Sequence, residues 1–167
     1  MTTTANSMTR PTDALQIRTV MANVPTSVAV VAGDSGERAA MVVGSFVSVS
    51  LEPVLAGFFV DRSSTSWPKM RNADVLGISV LSSRQLALCD KIGRKHEDRF
   101  DDRYWEKGAF GAPLLPEAAS QFEGRINTVS AAGDHDLVLV EVIGFSGSEN
   151  CRPLVFHNRR FVGLADL

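Results

Sequence analysis

The sequence has few of the residues on which metal, disulfide and nucleotide-loop sites depend. Its 167 residues include two cysteines, three histidines and one tyrosine. It contains neither a CxxC pair nor an HExxH segment, so we expect no metal site. No GxGxxG or GxxxxGKS/T segment occurs, which argues against the Rossmann and P-loop modes of nucleotide binding. The GxSxG elbow of serine hydrolases is also missing.

Strong charge of either sign and long apolar runs are missing as well. The formal net charge is −2 and the isoelectric point is about 5.9, so neither nucleic acid nor an anionic membrane is an expected partner. No apolar run approaches the roughly 18 residues of a membrane span, and no signal-peptide core is recognisable. We therefore expect a cytoplasmic protein with free thiols. Cys89 falls on a helical apolar pattern, which is typical of a core position.

The length of the chain suits a single domain with one buried core. Residues 1–12 are rich in threonine, serine and asparagine without periodicity, and we expect a disordered N-terminal tail there. Residues 13–167 then form the domain. Asp13 is placed to cap a short amphipathic helix over residues 14–23, and a second helix is expected over residues 84–92.

Most of the remaining chain consists of short β-branched or alternating segments separated by turn residues. The expected strands cover residues 27–32, 39–43, 44–50, 54–60, 75–81, 119–130, 136–145, 153–156 and 161–164. Many short strands with few helices are typical of a closed or nearly closed antiparallel barrel, and not of a parallel α/β sheet. The predicted fold class is therefore mainly β.

Residues 41–67 concentrate small and hydroxyl side chains where a sheet usually carries bulky ones. Strand alternation predicts that Ser48 and Ser50 share one face and that the intervening valines occupy the other. The next strand, residues 54–60, is almost wholly apolar and is expected to be buried on both faces. One polar, shallow strand face thus lies beside a buried strand.

The buried strand ends in a run of charged and hydroxyl residues, Asp61-Arg62-Ser63-Ser64-Thr65-Ser66, before a short helical segment. A cation, hydroxyl groups and free backbone N–H groups at a helix start suit an anion. A helix cap followed by a turn explains the same residues. The sequence alone leaves both interpretations open.

Three separated strings connect the chain to a known family. SFVSVSLEPVL, FVDRSSTSW and AGDHDLVLVEV occur in the order found in the short-chain flavin reductases, and residues 22–164 resemble that family. The resemblance implies an FMN-binding split β-barrel, that is, a Greek-key antiparallel, flavin reductase-like fold. It implies hydride transfer from NADH or NADPH to FMN or FAD, with reduced flavin supplied to a partner flavin-dependent monooxygenase. It also implies a homodimer with the flavin near the subunit interface.

The resemblance places the flavin on the small-residue strand and the hydroxyl run that follows. The expected cofactor-binding residues in this stretch are Gly44, Ser45, Phe46, Val47, Ser48, Ser50, Asp61, Arg62, Ser63, Ser64 and Ser66. Short side chains and close backbone approach suit the polar edge of a flat ring, and the Arg62 region suits the phosphate. Small residues also relieve crowding between strands, and that interpretation remains open.

Two further groups of residues are candidates by resemblance. The mixed-charge run over residues 94–103 is either a solvated loop or a segment in which Lys95, Arg99 and Phe100 close over a phosphate or a flavin edge. His135, in the Gly-Asp-His turn, is the expected catalytic residue, because the family's histidine lies beside the flavin and orients the nicotinamide. A histidine in a turn is otherwise a solvent-facing residue.

The chain departs from the family pattern at two places. Val42 stands where members usually carry a hydroxyl residue, and Phe161 stands where they commonly carry tyrosine. These departures support an alternative hypothesis, a flavin-binding split-barrel protein that has lost or repurposed its reductase activity. A third hypothesis, a pyridoxamine-phosphate oxidase type, lacks a recognisable pyridoxal-phosphate clamp in this sequence.

Overall fold

The computed structural model describes residue 10 and residues 14–164. Apart from residue 10, the expected tail lies outside the described residues, as does the capping Asp13. The helices are α1 (Ala14–Met21), α2 (Trp67–Met70) and α3 (Leu86–Gly93). The strands are β1 (Thr26–Ser27), β2 (Ala29–Asp34), β3 (Arg38–Val43), β4 (Val47–Leu51), β5 (Val54–Asp61), β6 (Leu76–Val80), β7 (Glu106–Lys107), β8 (Pro113–Leu114), β9 (Ser120–Ala132), β10 (His135–Gly147), β11 (Leu154–His157) and β12 (Arg160–Gly163).

The seven-stranded sheet has the order β3-β2-β6-β9-β10-β5-β4, and every pair in it is antiparallel. Its two edge strands, β3 and β4, are consecutive in the chain and joined by residues 44–46. In a flat sheet the edges would lie about 29 Å apart, since neighbouring strands are about 4.8 Å apart. Three connecting residues span about 14 Å at most. The sheet therefore curls into a barrel that is split between β3 and β4, and the expected mainly β antiparallel fold is confirmed.

The interior of the barrel is filled by one face of its strands and closed by α2. Phe58, Val138 and Val140 are fully buried at its centre. Trp67 and Met70 of α2 cover one end, and the Trp67 ring meets the Phe58 ring edge-on at 6.1 Å between centroids. Aromatic pairs in this geometry add to the free energy of burial.

A second core lies on the outer side of β2 and β3, where α3 packs. Cys89 and Ile92 of α3 are buried there with Trp105 and Leu115. Burial raises the pKa of the Cys89 thiol to about 11. The expectation of a core thiol at this position is confirmed.

One expectation about the small-residue stretch is wrong. Strand β5 is not buried on both faces, because Ala56, Phe58 and Val60 on one face are buried while Phe59 on the other face is 41% exposed. Its inner face fills the barrel and its outer face remains open. The short helical segment expected after the hydroxyl run is present as α2. Helix α1 lies where a helix was expected and buries none of its residues.

No helix among the described residues combines the length and the hydropathy that a membrane crossing requires.

Candidate functional site

The connection that crosses the split is tied to the barrel by side chains from its own residues. The backbone N–H of Phe59 donates to the Ser45 hydroxyl at 2.9 Å. The Phe46 ring packs against Phe122, with centroids 5.3 Å apart, and contacts the barrel core. A Cβ on Gly44 would lie 3.0 Å from Oγ1 of Thr26. Part of the small-residue pattern is therefore explained by close packing at the split.

A register shift in β4 separates the two serines that the alternation placed together. Ser48 lies opposite Ala56 and Ser50 lies opposite Leu55, with a bulge at Val49 between them. Because Ala56 and Leu55 are consecutive in β5, their side chains point to opposite faces. The prediction that Ser48 and Ser50 share one polar face is therefore wrong.

The hydroxyl run is organised mostly by its own hydrogen bonds. Asp61 accepts from the backbone N–H of Ser63 at 2.7 Å and from its hydroxyl at 2.6 Å. These bonds lower the pKa of Asp61. The Ser64 hydroxyl accepts from the backbone N–H of Trp67 at 3.3 Å. This arrangement matches the turn-and-cap interpretation, and α2 is too short to contribute much of a helix dipole.

Arg62 is engaged with a carboxylate of the neighbouring strand. Its Nε lies 2.8 Å from Oδ1 of Asp136, and its backbone N–H donates to the carbonyl oxygen of Asp134 at 3.2 Å. The Asp61 carboxylate precedes it directly in the chain. The charge of Arg62 is thus balanced within the protein, and its main visible effect is to join β5 to β10.

His135 is the first residue of β10 and lies directly opposite Asp61 in the ladder. Its Nδ1 lies 2.7 Å from Oδ1 of Asp134, and its side chain is 40% exposed. The hydrogen bond with this imidazole, and secondly its electrostatic attraction, lower the pKa of Asp134. When Nδ1 donates to Asp134, Nε2 of the neutral ring is left as an acceptor.

A separate cavity of about 210 Å³, here called the cationic cavity, gathers basic side chains from three segments. It is lined by Glu37, Arg38, Ala39, Ala40, Thr65, Ser66, Lys69, Lys95, Arg99 and Phe100. Glu37 is its one acidic lining residue, and that carboxylate already pairs with Lys69 at 2.6 Å. Ammonium, guanidinium and hydroxyl donors together are the usual ligands of a phosphate. The donor set therefore fits the phosphate of a flavin nucleotide.

Lys95 is held in this cavity by an uncommon backbone conformation. Its φ is +57°, and it follows α3 at the position where helices commonly end in glycine. The backbone N–H groups of Lys95 and His96 close the helix by donating to Ile92 and Lys91. The Lys95 ammonium donates to the Thr65 hydroxyl. The backbone turn at Lys95 thus directs its ammonium group toward the hydroxyl run.

Arg99 and Phe100 are fixed next to Lys95. The guanidinium of Arg99 donates to the carbonyl oxygens of Lys95 and His96 at 3.1 and 2.8 Å and lies 4.6 Å from the Phe100 ring centroid. Trp105 Nε1 donates to the Arg99 carbonyl oxygen at 2.7 Å. The charged run therefore contains two 3₁₀ turns, Glu97–Phe100 and Asp102–Tyr104. Its first part, at Lys95, contacts the hydroxyl run.

The structure brings some predicted residues together and separates others. Ser66, Lys95, Arg99 and Phe100 line the cationic cavity. Gly44 lines a different, apolar cavity of about 230 Å³, and Arg62, Asp61 and Ser63 lie around His135.

Three lining residues of the cationic cavity that carry hydrogen-bond donors in their side chains were not on the predicted list. Thr65 lies inside the hydroxyl run, so its chemistry was visible in the sequence. Arg38 and Lys69 belong to a strand start and a short helix, and only the folded chain places them beside Lys95. Among the described residues, no group of three or more histidine, cysteine, aspartate or glutamate side chains is arranged to hold a metal ion.

The model of the flavin reductase like domain family matches residues 21–165 of the chain. The protein belongs to this family. This flavin reductase-like protein is 37% identical over 150 residues to a flavin reductase of Pseudomonas putida, covering 89% of this chain and 88% of the relative. It is 27% identical over 153 residues to HsaB, the reductase subunit of a flavin-dependent monooxygenase of Rhodococcus jostii, covering 91% and 78%.

The barrel is also similar to a solved structure. The NADH:FAD oxidoreductase SgcE6 of Streptomyces globisporus C-1027, in complex with NAD and FAD fragments, superimposes with a TM-score of 0.88 at 30% identity. The match covers 95% of this chain and 97% of the other. The family assignment thus rests on the sequence and on the fold.

Proposed function

We propose that this protein is an NAD(P)H:flavin oxidoreductase that reduces FMN or FAD and supplies the reduced flavin to a partner monooxygenase. The observation that carries the proposal is the cationic cavity with its strained Lys95, placed on a barrel of this family. The names of its relatives, a flavin reductase and a monooxygenase reductase subunit, support the same activity.

The flavin phosphate binds in the cationic cavity, and the ring lies toward the split. Strand β3 connects the cationic cavity to the split. Ala40 of β3 lines the cavity, and Gly44 directly follows the last residue of β3. At about 3.3 Å per residue, these two positions are about 13 Å apart. A ring and its ribityl chain together span such a distance. Thr65, Ser66 and Lys95 are the proposed phosphate ligands.

Arg62 positions His135 rather than the phosphate. The pair between Arg62 and Asp136 fixes the residue that follows His135 in β10. Asp134, on the other side, fixes the imidazole ring at Nδ1. With both neighbours held, His135 is oriented to contact the nicotinamide amide.

Hydride transfer mainly requires that the protein position the nicotinamide ring against the flavin ring. A bound flavin supplies the acceptor for a hydride from the nicotinamide, and this transfer requires the two rings to be stacked at close range. The protein's part is to anchor the phosphate at Lys95, to present His135 at the ring and to bury the ring edge at the split. No side chain has to act as general acid or base during the transfer.

The substitution Lys95→Gly tests the phosphate site. It removes the cation and relieves the positive φ, so we expect at least a tenfold loss of FMN affinity with an unchanged or raised melting temperature. Riboflavin, which has no phosphate, is expected to bind the variant and the parent equally. Binding is measured by quenching of flavin fluorescence.

Asn158→Gly is the matched control, since Asn158 also has a positive φ, of +49°, in a distant turn. It should leave FMN affinity unchanged. Equal FMN affinity in the parent and in Lys95→Gly would contradict the proposed phosphate site.

We propose a homodimer through the outer face of β4, β5 and β10. Val49 and Phe59 are 48% and 41% exposed there. Leu137 lies directly opposite Phe59, and a Cβ added to β5 at Gly57 would contact both Val49 and Leu139. A contiguous apolar face of this kind in a small protein favours a protein interface.

The mass in solution tests the dimer. Light scattering is expected to give twice the chain mass of 18.0 kDa. Val49→Glu should give the single-chain mass, while Val162→Glu, at a valine 38% exposed on β12, should remain dimeric. A parent protein at the single-chain mass would contradict the proposal.

One observation favours the alternative of a flavin-binding protein without reductase activity. Val42 and Phe161, the two departures from the family pattern, both line the apolar cavity beside Gly44. Flavin binding without oxidation of NADH or NADPH would support this alternative. Turnover with either nucleotide would exclude it.

A further inference from the structure

A second cavity adjoins the cationic cavity and belongs to none of the roles described so far. It has a volume of about 430 Å³ and is lined in part by Asp34, Arg38, Trp105, Glu106 and Lys107. Arg38 lines both cavities, so they meet at its side chain. The size of this second cavity is typical of a small-molecule site.

The two cavities differ in charge. The cationic cavity has four basic side chains and one acidic one, Glu37, which is paired with Lys69. The second cavity has two carboxylates, Asp34 and Glu106, against two cations. Its balanced charge suits a neutral polar group with hydroxyls, and it disfavours another phosphate because the carboxylates repel it. A phosphate therefore belongs in the first cavity and a nucleoside in the second.

Arg38 has the geometry of a stacking residue at the junction. Its guanidinium carbon lies 5.8 Å from the centroid of the Trp105 ring, and the side chain is 31% exposed. Its Nη1 lies 3.5 Å from Asp102, whose side chain is 96% exposed, so this ion pair is weak. A guanidinium backed by an indole offers a flat, charged surface that stacks on nucleobases and also binds phosphate.

We propose that the second cavity binds the adenosine half of FAD, so that the protein prefers FAD over FMN. The inference rests on the proposed flavin site. Along β3 the order is then the ring near Gly44, the first phosphate near Ala40, and the second phosphate and adenine at Arg38. Asp34, at the end of β2 opposite Arg38, and Glu106 accept hydrogen bonds from the ribose hydroxyls.

The affinities of the parent protein for riboflavin, FMN and FAD test this directly. We expect FMN to bind more tightly than riboflavin and FAD to bind at least tenfold more tightly than FMN. AMP is expected to weaken FAD binding and to leave riboflavin binding unchanged. If no flavin binds, the proposed function fails; if FMN and FAD bind equally, the function stands and the adenosine site is refuted.

The variant Arg38→Ala tests whether the preference for FAD over FMN depends on Arg38, where the two cavities meet. It is expected to bring the affinities for FAD and FMN within about twofold of each other, while circular dichroism stays that of the parent. Arg71→Ala, at an exposed arginine outside both cavities, should keep the parent's ratio. An unchanged ratio in Arg38→Ala would overturn the proposal.

NADH also contains an adenosine group. One further measurement shows whether the second cavity binds the adenosine of FAD or that of NADH. If Arg38→Ala raises the KM for NADH at saturating FMN and leaves the ratio of FAD to FMN affinity as in the parent, the cavity serves NADH. That result contradicts the assignment to FAD. The expected result is an unchanged KM for NADH when FMN is the flavin.

Discussion

At the scale of single residues, Lys95 combines two opposed requirements. Its backbone occupies a conformation that glycine adopts at no steric cost, and its side chain supplies a cation to the hydroxyl run. Cys89 shows the opposite case, because burial makes a reactive type of side chain inert. The sequence predicted the position of Cys89 correctly from its apolar helical neighbours. For Lys95 the sequence left two interpretations open, a solvated loop and a segment that binds the flavin. A run of charged residues is compatible with both.

The two cysteines are expected to differ in thiol reactivity. The thiolate is the nucleophile, and the raised pKa of Cys89, about 11, keeps that thiol protonated at pH 8. Cys151 is partly exposed. A disulfide reagent should therefore titrate one thiol in the native protein and two after denaturation.

The variant Cys151→Ser should lose the native reaction entirely. Two reactive thiols in the folded parent would show that Cys89 is accessible, contrary to the packing of α3 described above.

Asp101 should make the stability depend on pH. Its carboxylate is paired with Arg103, with Oδ2 2.7 Å from Nη2, and this hydrogen bond lowers the pKa of Asp101 to about 2. Since the folded pKa lies below the unfolded value, the stabilisation is complete above about pH 4 and is lost as the pH falls toward 2. Asp101→Asn should therefore lower the melting temperature at pH 7, and the difference from the parent should shrink at pH 3.

Asp74→Asn, at an exposed site, is the control for this comparison. A deficit of Asp101→Asn that stays constant between pH 7 and pH 3 would show that the carboxylate charge is not the cause.

At the scale of elements, the strands were predictable because β-branched runs and turn residues are local signals. The hairpin around Gly36 and the paired strands β9 and β10 follow directly from such signals. The bulge at Val49 does not, because a register shift depends on which strand is the neighbour. It reverses the face of every later residue in β4, and this accounts for the wrong prediction for Ser48 and Ser50. The outer face of β5 was misjudged for a related reason, since an apolar strand looks the same whether its second face is covered or open.

Strand β6 contains a position that only glycine fits. A Cβ on Gly77 would lie 2.1 Å from the Pro113 carbonyl oxygen and 3.0 Å from Leu114. Gly77→Ala must displace the backbone of β8, and we expect it to lower the free energy of unfolding by roughly 2–3 kcal/mol. Urea denaturation measures this change.

Gly163→Ala is the matched control, because a Cβ there would meet no atom within 4 Å among the described residues. Its effect should stay within about 0.5 kcal/mol. If Gly77→Ala were as stable as Gly163→Ala, the close approach of β6 to β8 would be wrong.

At the scale of the whole molecule, closure of the sheet assembles the site. The cationic cavity takes residues from β3, the hydroxyl run and the segment after α3, which are far apart in the chain. The motif strings identified the family and the hydroxyl run, and the resemblance to the family pointed to the segment after α3. Arg38 and Lys69 became visible only in the folded barrel. Long-range pairing decides which charges face one another, and no local pattern encodes it. The same holds for Arg62, whose partner Asp136 lies on another strand and could not be predicted from the sequence.

The central claim is that this barrel catalyses reduction of a free or bound flavin by a nicotinamide nucleotide. The most direct measurement is the decrease in nicotinamide absorbance when the purified protein receives NADH or NADPH, with and without added FMN or FAD. We expect oxidation of at least one nucleotide that depends on both protein and flavin and that slows in His135→Ala. No oxidation with any of the four combinations of nucleotide and flavin, by a folded protein, would contradict it.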